Sequence, residues 1–438
     1  MVMAVPEGLN LIPDQCEGAM FLAASRQAVL GDDMRLGKTV QAIVAANILQ
    51  AKTILVICPA SAKISWHRHF KKWSTINHSY QIVEGRKCKI NPKASVIIVN
   101  YDLIIEPFIM DQLLKFKFAI GICDEAHKLK GRESKRSHAV LKKGNLGSRC
   151  AYMWFLTGTF ILNRPIEMYP VLRAAAPYII EPYLSYTAYA RHFCGGYFDG
   201  LIYKDKGASN IKELSQRLNN SGFFLRRTKE EVFENYVKPV PELVVVPADT
   251  DEVKELMASE FQWETLDIKN QPLGEETSGG LSVLRHELGD YIVPHAIAHI
   301  REILKEKKKI VIFSYHRSVM EVLMEGLEEF NPVRVQGGMG PTAKQKSIDT
   351  FQNDPSCRVF SGQYIAAGEI IDLSAGEAII HVESSWVPGE IDQPSDRCFD
   401  FNNPAKEIMV QFLSIEGSLH ETMLSAVIKK RKIIKQIY

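Results

Sequence analysis

No apolar run in this chain approaches the ~18 residues that a membrane-crossing helix needs, and the N-terminus lacks a basic segment followed by an apolar one. The expectation is a protein with no membrane contact that stays where it is made: cytoplasmic in a prokaryotic cell or phage-infected host, nuclear if eukaryotic. Excess charge is also missing. Lysine and arginine number 53 against 51 acids, a net charge of +2, so global charge does not argue for nucleic acid and any such site must be a local stripe. The eight cysteines (16, 58, 88, 123, 150, 194, 357 and 398) show no CxxC spacing, which argues against a zinc site. Reduced, structural thiols in a cytosolic compartment are expected instead.

What the chain does have is length and alternation. Its 438 residues are about three times the ~150-residue domain prior, and 46% hydrophobic content suffices for a substantial core. Apolar strand candidates recur at 53–58, 95–99, 118–123 and 153–156, and a second series occupies 309–314, 333–336, 358–361 and 378–382. Strands alternating with helical and polar stretches read as parallel α/β sheets. Two similar lobes result, at 1–180 and 305–438, with a tyrosine-rich and charged helical insertion and linker at 181–304.

The sequence GDDMRLGKT, from Gly31 to Thr39, carries the first chemistry. In a phosphate-binding loop the backbone N–H groups of a tight turn cradle phosphate oxygens, a lysine neutralises the β and γ charges and a hydroxyl ligates magnesium. Gly37, Lys38 and Thr39 supply these parts, and the Ala, Ile and Val-rich segment 40–49 reads as a helix whose positive N-terminus faces the phosphates. The string alone is weak, because the full GxxxxGK[ST] pattern needs glycine at position 32, where this chain has Asp32. A second element decides between a nucleotide loop and a chance turn. The apolar run 118–123 reads as a buried strand ending at Asp124-Glu125-Ala126-His127, which puts carboxylates at the sheet edge where α/β proteins bind ligands. Asp124 is expected to hold magnesium and Glu125 to polarise the water that attacks the γ-phosphate.

The order of segments resembles helicase superfamily two, and their wording resembles its Swi/Snf-type DNA translocase branch, particularly the small fork-remodelling, annealing-helicase group. Leu11 to Gln15 resembles the adenine-reading glutamine motif, DDMRLGKT motif I, and Ile57-Cys58-Pro59-Ala60-Ser61 with Trp66 and Trp73 motif Ia. Asn100-Tyr101-Asp102 resembles motif Ib, DEAHKLK motif II, and LTGTFILNRPIEMYPVL from Leu156 motif III. Phe224 to Lys229 matches a branch-specific arginine pair. Ile312 to Ser314, Ala366-Ala367-Gly368 with Asp372-Leu373, Trp386 to Gly389 and Gln393 to Arg397 follow motifs IV to VI in order.

The resemblance implies two RecA-like parallel-sheet lobes in tandem, using ATP and Mg2+ to step along double-stranded or forked DNA. It places Gln15, Asp32, Arg35, Gly37, Lys38, Thr39, Gly368 and Asp372 at the nucleotide, Thr39 and Asp124 at the metal, and Lys38, Asp124, Glu125 and Arg397 in catalysis. Ser61, Lys63, Asn100, Asn163 and Arg164 become candidate DNA contacts, each equally open to a capping or turn role. Trp66 and Trp73 read as packing rather than base-stacking residues, and His127 as a coupler of the lobes. Protein partners are expected to supply targeting. The C-terminal run Lys429-Lys430-Arg431-Lys432 reads as the solvated face of a final helix.

Departures from the family pattern concentrate on catalysis. Arg35 stands where motif I has glycine, Phe160 replaces a proline in motif III, Ile370 replaces the second glycine of motif V, and Asp400 replaces the second arginine of motif VI. Arg35 either helps to bind phosphate or points into solvent. For turnover, either Arg397 suffices as the finger or another cation such as Lys406 serves. Three readings follow: a DNA-stimulated ATPase and translocase, a catalytically impaired nucleotide-gated DNA-binding module, or an RNA helicase of the same superfamily.

Overall fold

The computed structural model describes residues 4–158, 164–205, 207–246, 279–367, 372–383 and 396–416, with 251, 255, 391 and 418. Two compact units divide the chain between Val232 and Phe233.

The first unit is built on strands β1 Gln27–Leu30, β2 Ile54–Cys58, β3 Tyr80–Ile82, β4 Val96–Asn100, β5 Phe118–Asp124 and β6 Cys150–Leu156, a separate hairpin of β7 Tyr197–Phe198 and β8 Tyr203–Lys204, and β9 Phe224–Leu225. The sheet order is β3-β4-β2-β5-β6-β1-β9 and its pairings are parallel. Parallel strands covered on both faces should read as continuous apolar runs, and every residue of β2 and β4 is buried. Helix α1, Pro13–Ala24, packs against α2, Lys38–Ile48, whose residues Val40 to Asn47 are all buried. A third helix, α3, Lys63–Trp73, places Trp66 and Phe70 inside.

The second unit carries β10 Pro241–Val246, β11 Ile310–Ser314, β12 Val333–Val335, β13 Val359–Gln363, β14 Ala378–His381 and β15 Met409–Ile415, in the order β10-β15-β14-β11-β13-β12, again parallel. The period-two alternation of β11 divides the core. Ile310 and Ile312 face Leu288, Ile292, Ala296 and Ile300 of the helix Gly279–Glu306, while Val311 and Phe313 join Val335, Phe351 and Phe360. No described helix is long and apolar enough to cross a membrane.

The fold is thus two parallel-sheet α/β lobes in tandem. The segment 181–304, expected as insertion and linker, is divided between the two units. Residues up to 232 belong to the first unit because Tyr189, Phe193, Leu214 and Leu218 are fully buried in its core. The helix Gly279–Glu306 belongs to the second unit for the same reason. The basic run at 429–432 and its expected helix lie outside the described residues.

Candidate active site

Register brings the motifs together. Leu30 pairs with Leu156, and Leu156 with Asp124, so the phosphate loop, the Thr157-Gly158 turn and the DEAH segment leave one sheet edge side by side. Ile57 pairs with Cys123 and Cys58 with Asn100, which adds motifs Ia and Ib to the same edge.

The loop between β1 and α2 turns on Gly37, at φ +82°, where a Cβ would also lie 2.5 Å from the Gln15 Nε2 atom. The left-handed backbone favours glycine here, and a side chain would also have to displace the Gln15 amide. Arg35 also takes a left-handed backbone, φ +73°, where an L side chain is disfavoured. The Lys38 ammonium donates to the carbonyls of Asp32 at 2.7 Å and Asp33 at 3.0 Å. Burial lowers its proton affinity, against the opposing pull of Glu125, Asp32, Asp33 and Asp124.

Asp124 is buried at the end of β5. Its Oδ2 accepts from the Trp66 indole at 2.7 Å, its Oδ1 from the Glu125 backbone N–H at 3.1 Å, and its carbonyl from the Tyr101 hydroxyl at 2.8 Å. Burial, followed by the repulsion of Glu125, pushes its carboxyl up to about 7; the indole bond and Lys38 act in the other direction. Glu125 is buried on a left-handed backbone, φ +51°, with His127 Nδ1 3.3 Å from its Oε2. The same His127 nitrogen lies 3.4 Å from Thr157 Oγ1, so its resolved contacts join motifs II and III within the first unit. Two buried acids at a sheet edge, near an ammonium at a helix N-terminus, fit the oxygen-donor preference of a divalent cation such as Mg2+.

Asp32 was expected at the nucleotide, but its carboxylate is occupied within the protein. Its two oxygens accept from the Arg227 guanidinium at 3.1 and 2.6 Å, and Oδ2 also from Gln41 at 3.0 Å. This explains the departure from glycine at position 32: the loop needs an acceptor there. The amide of Gln15 is likewise engaged, accepting from Ile12 N–H and donating to Leu36 O, each at 3.3 Å. Thr39 is the second residue of α2 and half-buried.

Among the candidate DNA contacts, Ser61 lies in the turn Ala60–Ala62 after β2 and Asn100 is buried at the end of β4. Lys63 donates to Val83 O at 2.9 Å. Arg164 precedes the turn Pro165–Met168, whereas Asn163 and Phe160 lie outside the described residues, as do Gly368 and Ile370.

In the second unit, Arg397 is buried and its carbonyl accepts from Leu373 N–H at 3.0 Å, tying motif VI to motif V. Asp372 is exposed and closes a turn through Ser374 N–H at 3.0 Å. Asp400 does the same through Asn402 N–H at 2.9 Å. The Lys406 ammonium, the alternative cation, is bound to the carbonyls of Ser374 at 2.5 Å and Gly376 at 2.8 Å.

Sequence reasoning missed the parts played by Trp66, Tyr101, Gln41 and Arg227. For Trp66 a signal existed: a buried indole N–H needs an acceptor, and a carboxylate at the adjacent strand end supplies one.

Comparison with known proteins shows the family to which the chain belongs. The family model of the SNF2-related domain matches residues 15–281, more than half of the chain, and that of the helicase conserved C-terminal domain matches 295–402. The chain is 27% identical over 439 residues to the DNA annealing helicase and endonuclease ZRANB3 of Mus musculus, covering 97% of this chain and 40% of that protein. It is 26% identical over 438 residues to the SWI/SNF-related matrix-associated actin-dependent regulator of chromatin subfamily A-like protein 1 of Drosophila melanogaster, covering 98% and 56%. The chain therefore spans about half the length of these relatives. A solved structure of the Sulfolobus solfataricus SWI2/SNF2 ATPase core in complex with dsDNA aligns over 98% of this chain and 93% of that one, at 22% identity and a TM-score of 0.47.

Proposed function

Because the chain belongs to the SNF2-related family, we propose that it is an ATP-dependent translocase on double-stranded DNA, hydrolysing ATP to remodel duplex or forked DNA. One observation carries this reading: Lys38 and the Asp124-Glu125 pair are gathered at the carboxyl edge of adjoining parallel strands. In the proposed cycle Lys38 leaves the loop carbonyls to neutralise the β and γ phosphates, and the backbone N–H groups at the start of α2 donate to phosphate oxygens. Thr39 and Asp124 would hold Mg2+, which would supply neutralisation of phosphate charge. Glu125 orients the attacking water, and Arg397 supplies the finger.

DNA as the partner is supported by the relatives named above. Backbone contacts through Ser61, Lys63, Asn100, Asn163 and Arg164 would give affinity with little sequence preference and strong salt dependence. Proteins that direct the motor to its DNA are part of the same reading, as is action wherever that DNA resides.

Asp400 favours a second reading, a nucleotide-gated clamp that binds DNA without efficient turnover. An acid at the position of a finger arginine adds repulsion where charge must be neutralised. Displacement of a third strand from a duplex separates the two. The motor displaces it with ATP and fails to do so as Glu125→Gln. The clamp retains DNA in a nucleotide-dependent way, displaces nothing, and gains displacement as Asp400→Arg.

A further inference from the structure

The arginine pair that closes the first unit grips the phosphate loop. All five N–H groups of the Arg227 guanidinium are engaged: Nε donates to Asp32 Oδ1 at 3.1 Å, Nη1 to Asp14 O and to Glu17 Oε2 at 3.3 Å, and Nη2 to Asp32 Oδ2 at 2.6 Å and Gln41 Oε1 at 3.0 Å. One side chain thus joins α1, the loop and α2. Gly18 of α1 leaves it room, since a Cβ there would lie 1.8 Å from Gln41 Oε1 and 2.7 Å from Arg227 Nη2. Arg226 takes the other side of the loop, donating to Gly31 O at 3.0 Å, Gly158 O at 3.2 Å and Asp33 Oδ1 at 2.9 Å. Backbone bonds complete the grip: Gly31 N–H to Leu225 O at 2.7 Å, Asp33 N–H to Arg227 O at 2.9 Å, and Lys229 N–H to Asp33 Oδ2 at 3.2 Å.

We propose that Arg226 and Arg227 are positioning residues for nucleotide binding, which hold the shape of the phosphate loop independently of Lys38. The need follows from the geometry. Lys38 is bonded to the carbonyls of Asp32 and Asp33, so its departure toward phosphate removes two of the loop's internal bonds. The arginines hold the same two residues by their carboxylates, and those bonds survive the change. The chain leaves the first unit only five residues after Arg227, so the loop is tied to the root of the connection to the second unit.

This inference rests on the nucleotide-binding reading, and the test keeps the two apart. Equilibrium binding of a fluorescent N-methylanthraniloyl ATP is measured on the full chain, together with kcat, KM for ATP and the thermal melt. Arg227→Gln alone leaves the Asp32 charge buried without its partner, so Arg227→Gln/Asp32→Asn removes both charges at once. Arg226→Gln, on the partly exposed side of the loop, is an independent arm. The expected result is a roughly 10- to 100-fold loss of nucleotide affinity in either variant, with a matching rise in KM and a smaller change in kcat, at temperatures where both remain folded. Folded Arg226→Gln with wild-type affinity overturns the proposal. Failure of the wild-type protein itself to bind the nucleotide overturns the underlying reading instead.

Discussion

At the scale of the residue, the site combines two strained backbones with two displaced proton affinities. Arg35 and Glu125 both sit in the left-handed region, which persists only where surrounding structure over-determines it. Replacing Arg35 by glycine relieves this strain, whereas alanine keeps it. The glycine variant should be the more stable of the two by about 1 kcal/mol in urea denaturation, and equal midpoints would refute the strain. Trp66→Phe keeps an aromatic ring in place but removes the indole N–H donor to Asp124 together with part of the buried ring volume. We expect a loss of about 1–3 kcal/mol and a higher Mg2+ requirement for hydrolysis, checked by denaturation and by magnesium titration.

Asp124 also makes a prediction about pH. Its folded affinity, near 7, lies above the ~3.9 of an unfolded aspartate, so between those values the folded state holds a proton that the unfolded state has released. Stability without metal therefore falls as pH rises through that window. Asp124→Asn should stabilise the metal-free protein more at pH 8 than at pH 5, and an equal effect at both would contradict the assignment.

At the scale of the element, legibility followed burial. The strands β2, β4 and β5 announced themselves as unbroken apolar runs because both faces of a parallel sheet are covered. Strand β15 did not, since its run is interrupted by Gln411 and Ser414, which are buried. Gln411 is matched by His299 at 2.8 Å and Glu242 at 3.1 Å, partners more than 100 residues away. The two-residue β9 carries no periodicity at all, yet it leads into the arginine pair. Motif I was legible from Gly37, Lys38 and Thr39, while the reason for Asp32 was not, because its partner lies 195 residues further on. The glycine of α1 is an equally non-local requirement. Gly18→Ala would drive a methyl group into Gln41 and Arg227, and should cost about 1–3 kcal/mol in urea denaturation. A change below about 0.5 kcal/mol would mean that the network yields without loss.

At the scale of the molecule, the residues proposed for the chemistry are found in both units. The first holds Lys38, Thr39, Asp124 and Glu125; the second holds Arg397, with Asp400 three residues beyond. On the proposed reading the first unit would supply nucleotide affinity and the second turnover. Arg397→Ala should lower kcat steeply, by up to roughly 10³- to 10⁵-fold if it carries most of the finger effect, while nucleotide binding is largely retained. Lys406, the alternative cation, has its ammonium bound to two carbonyls of its own unit.

The most direct test of the motor reading is steady-state ATP hydrolysis at low salt by the wild-type protein and by Lys38→Ala, without nucleic acid and with single-stranded DNA, duplex DNA, forked DNA and duplex RNA. The account predicts stimulation by duplex or forked DNA that disappears in Lys38→Ala. ATP binding without hydrolysis on any of these would contradict it, as would stimulation by duplex RNA alone.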